Sequence, residues 1–289
     1  MDPRFTVSMS LAKEALDFQL SPSQSAKDAA GDLARMVART ESVRADPAIT
    51  SRIDIAYGTR PRQRLDLYRP ASAQNAVLPC LVFIHGGFWQ EGDKSVSGFA
   101  AKTFCDLGWS YVSVGYTLTP DISLTALSEE IYQALACLNS HASEWGIDPQ
   151  RIVLAGHSAG GHLAACVLAD VLDRRIGNRL AGAVLISGVF ELAPIAKSYV
   201  NDMAGIDARE MQVLSPLRHV PASDTPVHVL IGAEEPEAFH LQSDVLKDIW
   251  APHLSQLTSH VAPGRDHFDV LEELNDPTSP TMRAISAMV

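Results

Sequence analysis

Along this chain, continuous apolar runs of strand length alternate with stretches whose apolar residues recur every three or four positions. The runs are LPCLVFIH (78–85), SYVSVGY (110–116), RIVLAG (151–156), GAVLISGVF (182–190) and PVHVLIGA (226–233). A strand with no polar face has no side for water, so such runs suit a parallel sheet covered on both faces. Helices are expected between them at 95–107, 124–145, 159–173 and 236–250. In the second of these, Leu124, Leu127, Ile131, Leu135 and Leu138 form one apolar stripe. By contrast, SRIDIAYG (51–58) and RLDLYRP (64–70) alternate apolar and polar, as half-buried antiparallel strands do. Strand–helix alternation predicts an α/β fold, with a mostly parallel central sheet and helices on both faces. Residues 10–45 read as a helical extension with a start signal at Ser21 or Ser23. Residues 191–220 interrupt the alternation and read as a small cap-like insertion over the carboxyl edge of the sheet, where such folds place ligands. The whole chain, 1–289, reads as one domain.

Composition narrows the partners. The net charge is −11 and the pI about 5.3, which argues against nucleic acid or an anionic membrane as a partner. No apolar run approaches the roughly 18 residues of a membrane span. The opening MDPRFTVSMSLAKEALDFQL has scattered charges and no apolar core of signal-peptide length. Cys80, Cys105, Cys137 and Cys166 are widely spaced with no CxxC pair, so buried free thiols in a reducing compartment are expected rather than metal ligands or disulfides. These points together predict a soluble cytoplasmic protein and name no substrate; a small-molecule substrate follows only from the chemistry of the motifs, and a homodimer is left open.

The chemistry concentrates at RIVLAGHSAGGHLAA (151–165). GHSAG fits G-x-S-x-G, with Ser158 between Gly156 and Gly160. A nucleophile on a sharp strand-to-helix turn needs bare backbone two positions to either side, where side chains would strike the neighbouring strand and helix. The apolar run before Ser158 and the helical pattern after it supply that context. A phosphate cradle is excluded, because neither G-x-x-x-x-G-K-[ST] nor G-x-G-x-x-G occurs here.

A serine hydroxyl needs a base within hydrogen-bond reach and an acid to orient that base. In this topology they follow in the order serine, acid, histidine. Among the later histidines, His267 in VAPGRDHFDV lies in a glycine-containing loop after the last strand pattern, QLTSHV, and can reach back over the sheet. His162, His228 and His260 fall within helix or strand patterns and read as structural. The acid belongs in the loop after PVHVLIGA, where spacing alone leaves Glu234 and Glu235 both open. FIHGGFW (83–89) follows the first buried strand. Its glycines leave N–H groups free to face a developing oxyanion. The N–H of Ala159, the residue after the serine, is a further donor.

HGGFW, GHSAGGHL and GRDHF, in that order, resemble the α/β-hydrolase fold and its esterase branch with an HGG oxyanion loop. Within that branch the chain is most similar to the kynurenine formamidase (arylformamidase) family. FQLSPSQ, YGTRPRQRLDLYRP, HGGFWQEGDKS and SGVFELAPIAKSYVND followed by LSPL extend the likeness over about residues 15 to 275. The resemblance implies Ser158 as nucleophile, His267 as base, and an oxyanion hole from Gly86, Gly87, Phe88 and Ala159. It implies Glu235 as the acid, with Glu234 as runner-up, in a family that usually has aspartate there. Leu20 stands where the family's opening has a tyrosine. The expected activity is acyl transfer to water on an aryl formamide such as N-formylkynurenine or on a small ester, with no metal and no cofactor. The alternatives are a general small-acyl carboxylesterase and, more remotely, a non-catalytic ligand receptor. Trp89, Tyr116 and Phe190, near strand ends or in the oxyanion loop, are expected to line an aromatic-accepting pocket.

Overall fold

The computed structural model describes residues 2–73, 75–174 and 180–289. Eight strands form one sheet: β1 (Ile49–Ala56), β2 (Arg64–Pro70), β3 (Leu78–Ile84), β4 (Ser110–Val114), β5 (Ile147–His157), β6 (Gly182–Ile186), β7 (Val227–Gly232) and β8 (Leu257–Ala262). Their spatial order is β1-β2-β4-β3-β5-β6-β7-β8. The alternating segments β1 and β2 pair antiparallel, and β2 joins β4 antiparallel. Every other pairing is parallel. β1 is the largely exposed edge, whereas β4, β6 and β7 are buried throughout.

The unbroken apolar runs are explained by which side each residue serves. In β3, Cys80, Val82 and Ile84 enter one core, and Leu81 and Phe83 enter the other. In β5, Ile152 and Leu154 split from Val153 and Ala155 in the same way. The first core is closed by the helices Leu124–His141, Ala159–Leu168 and Glu237–Trp250, and the second by Ala29–Ala45, Ala101–Asp106 and Pro280–Ser286. At roughly 1.5–3 kcal/mol per fully buried large apolar side chain, these two layers are the main stabilising force.

Several boundaries differ from the sequence reading. The helix expected over 124–145 ends at His141, and the one over 95–107 covers only Ala101–Asp106. The run 182–190 stops being strand after Ile186, because Ser187 takes a left-handed φ of 49°. Residues 10–45 form several helices rather than one. Ser21 precedes only the single turn Pro22–Ser25, and its hydroxyl donates back to the Asp17 carbonyl. The long helix Ala29–Ala45 is capped instead by Asp28, whose carboxylate accepts from the Gly31 N–H. An aspartate cap is as good as a serine one, so propensity could not choose between them.

The chain runs from β3 outward to β4, then returns past β3 to β5. The crevice at the carboxyl ends of β3 and β5 is therefore a topological switch point, the place where open α/β sheets hold ligands. Among the described residues no helix is long and apolar enough to cross a membrane.

Candidate active site

Ser158 stands between the last residue of β5 and the helix Ala159–Leu168, with φ 54° and ψ −117°. A non-glycine residue held there stores strain, which neighbouring structure must enforce. The Ser158 N–H donates to the Ile186 carbonyl at 2.8 Å and pins the turn to β6. The flanking glycines are sterically required. A Cβ on Gly156 would lie 2.1 Å from the Gly160 carbonyl oxygen, and one on Gly160 would lie 2.1 Å from that of Ile84. Both obstacles are backbone of the central sheet or of the turn itself. Gly160→Ala is expected to lower the unfolding free energy by about 1–3 kcal/mol or more, the range for overpacking. An unchanged urea midpoint would contradict this.

His267 is buried, and its Nδ1 lies 2.6 Å from Glu235 Oε2. An ionised carboxylate only accepts, so Nδ1 carries the proton and the Nε2 lone pair is left for a substrate-side proton. The other Glu235 oxygen accepts from the Gly232 N–H at 2.8 Å and, in a short bond, from the Ser187 hydroxyl. The Phe239 ring packs against the imidazole at 4.5 Å between centroids. Glu234 points elsewhere: its side chain is 46% exposed and pairs with Lys27 Nζ at 2.7 Å. Of the two glutamates left open by spacing, only Glu235 reaches the imidazole.

The loop after β3 bends sharply. Gly87, Phe88 and Trp89 all have positive φ, at 109°, 45° and 62°. The Gly87 carbonyl accepts from the N–H groups of Gln90 and Glu91, which closes the turn. A Cβ on Gly86 would be 3.0 Å from Ser158 Cβ, so this backbone lies directly against the nucleophile turn. Among the described residues the N–H groups of Gly87, Phe88 and Ala159 have no hydrogen-bond partner. The Ala159 N–H belongs to the first turn of its helix, where donors have no intrahelical acceptor and the helix dipole favours negative charge.

Ser158, His267, His157 and Gly86–Phe88 share one pocket of about 260 Å³. Its outer wall comes from Pro22, Ser23, Leu33 and Met36 of the N-terminal segment, with Tyr199, Phe268 and Leu271. The N-terminal segment therefore supplies more of the wall than residues 191–220, which contribute Tyr199. The three aromatic residues expected in the wall are placed in the core instead. Trp89 is fully buried edge-on to the His162 ring at 4.9 Å. Tyr116 stacks on His85 at 4.2 Å and donates to the His85 carbonyl. Phe190 is fully buried beneath Gly188. Trp89 packs inward against His162, and β4 and β6 end at Val114 and Ile186, before Tyr116 and Phe190. Phe88, next to Trp89, is the aromatic residue of that loop that faces the pocket.

Sequence reasoning missed Ser187, which had no motif, and His157, the variable position of G-x-S-x-G. Asp266, which flanks His267 but was expected to point away from it, binds the N–H groups of Phe268, Asp269 and Lys27 rather than the imidazole. Burial pushes the His157 and His85 imidazoles down, to about 3 and about 4, so both stay neutral at physiological pH.

The BD-FAE family model matches residues 65–184, the span from β2 through the nucleophile turn and into β6. Kynurenine formamidase of Salmo salar is 30% identical over 278 residues, covering 91% of this chain and 92% of that protein. The kynurenine formamidase of Danio rerio is 29% identical over 280 residues, covering 92% and 93%. A crystal structure of a candidate thioesterase from Silicibacter sp. tm1040 superposes with a TM-score of 0.83 at 30% identity, covering 94% of this chain and 98% of that one. The fold is that of the α/β-hydrolases, and on identity sustained over nine-tenths of both chains this hydrolase belongs to the kynurenine formamidase family.

Proposed function

We propose that the protein is a serine hydrolase that moves a small acyl group from substrate to Ser158 and then to water, with an aryl formamide such as N-formylkynurenine as its preferred substrate. The observation that carries this reading is the buried Glu235–His267 pair opening onto the pocket that holds Ser158 and the unpaired N–H groups of the HGG loop. Ser158 Oγ attacks the formyl carbon while His267 Nε2 takes its proton. The carbonyl oxygen becomes an oxyanion and receives the N–H groups of Gly87, Phe88 and Ala159. Glu235 stabilises the imidazolium. The C–N bond then breaks, and His267 returns the proton to the leaving aryl amine. Water, deprotonated by His267, attacks the formyl ester and releases formate.

A formyl group needs little space beside Ser158, and Gly86 allows little. The leaving group faces the apolar surface of Leu33, Met36, Phe88, Phe268 and Leu271. That surface suits a flat aromatic ring. Esters with small acyl groups fit the same machinery, so general carboxylesterase activity is the second reading. The kcat/KM for N-formylkynurenine should equal or exceed that for p-nitrophenyl acetate and butyrate. A formamide value 100-fold or more below the ester values would overturn the formamide assignment and leave an esterase. We assign the protein to a reducing compartment because its four cysteines are free thiols and three of them are buried.

A further inference from the structure

His157 lies inside the nucleophile motif, at the position where G-x-S-x-G accepts any residue. Its ring reaches across the site to the base. Its Nε2 is 2.8 Å from the backbone carbonyl oxygen of His267, with both partners buried. A carbonyl only accepts, so Nε2 carries the proton and His157 is the donor. The neutral state that burial imposes provides this tautomer without a competing charge. The two imidazoles lie 4.7 Å apart between centroids.

We propose that His157 is a positioning residue that sets the distance between nucleophile and base, an inference that rests on the serine-hydrolase reading above. His157 is the immediate chain neighbour of Ser158, and its Ser158-side backbone is fixed by the β5–β6 pairing of His157 with Ile186. One side chain and one hydrogen bond therefore link the nucleophile turn to the loop that carries the base. Without that link, His267 is oriented only at its ring, by the Glu235 hydrogen bond and the packing of Phe239, both from the segment after β7. The imidazole could then keep its acid partner yet drift away from Ser158. The chain neighbours Asp266 and Phe268 are tied among themselves and to Lys27, not to the nucleophile turn. The cross-link therefore has no duplicate among the described residues.

The test compares substitutions that differ in where they place a donor. Gln at position 157 sets an amide near the Nε2 position, Asn sets one near Nδ1, and Met supplies bulk with no donor. With p-nitrophenyl acetate, His157→Met and His157→Asn should lower kcat by about 10–100-fold, the scale of a misplacement near 1 Å, with KM within about threefold. His157→Gln should return kcat to within about fivefold of wild type. Equal losses in the Gln and Asn variants, or wild-type kcat in the Met variant, would overturn the proposal. If the Met variant does not fold, the Gln–Asn comparison alone decides. Fluorophosphonate labelling of the wild type at Ser158 separates the two levels of inference. Labelling with no Gln–Asn difference sinks only the role of His157, and no labelling sinks the serine-hydrolase reading.

Discussion

Ser158→Ala is expected to abolish turnover of both N-formylkynurenine and p-nitrophenyl esters, with kcat falling by about 10⁶-fold, the loss seen when a serine nucleophile of this kind is removed. The scale follows from how the site works. The base, the acid and the oxyanion donors all act on a bond that Ser158 Oγ makes, so none can substitute for it. The variant should fold, because the Ser158 hydroxyl caps no helix and the left-handed turn is held by Gly156, Gly160 and the Ser158 N–H bond to Ile186. A fluorophosphonate probe should label the wild type and leave Ser158→Ala unlabelled. Failure of the folded wild type to react would refute the nucleophile assignment.

Two adjacent glutamates should respond very differently to alanine. Glu235→Ala removes the acceptor for His267 Nδ1 and leaves the Gly232 N–H and Ser187 hydroxyl without their buried partner. The imidazole is then free to take the wrong tautomer, and a kcat loss of about 10⁴-fold is expected by analogy with loss of the triad acid. Three unsatisfied groups in a buried site should also cost stability, at about 1–3 kcal/mol per orphaned donor before relaxation. Glu234→Ala breaks only an exposed pair with Lys27, a contact that solvent screens. Its kcat should stay within a few-fold of wild type. The two variants are compared by steady-state kinetics on one substrate, and a larger kcat loss in Glu234→Ala would reverse the assignment.

The contrast between these neighbours shows where sequence reasoning stops. The turn that carries Ser158, the proposed nucleophile, was legible because its constraints are local. Strand, left-handed serine and helix follow one another in sequence, and the glycine spacing records backbone clashes within a few residues. The placement of His267, the proposed base, was legible because the chain order of the fold leaves one histidine in the loop after the last strand. The choice between Glu234 and Glu235 turns on which carboxylate the turn after β7 directs inward, and on the Ser187 hydroxyl and Gly232 N–H that receive it. Gly232 is three residues from Glu235, but Ser187 comes from the loop after β6, 48 positions away, and no spacing encodes that contact.

Hydrophobic patterning by itself located most strands of the sheet, because strands covered on both faces are predominantly apolar, although β2 is buried through its centre with Asp66 inside, held by Arg44 and Lys94. Short glycine motifs by themselves located the turn at the proposed active site, because steric exclusion at a tight turn acts between near neighbours. Only the tertiary structure decided the pocket wall. Trp89, Tyr116 and Phe190 are aromatic residues in the HGG loop or just past strand ends, yet core packing turns all three inward. Pro22, Leu33 and Met36 reach the mouth from an N-terminal segment that carries no catalytic motif. A side chain's direction at a loop depends on dihedrals fixed by distant contacts. Composition and spacing record which residues are available, and folding alone selects which of them face the substrate.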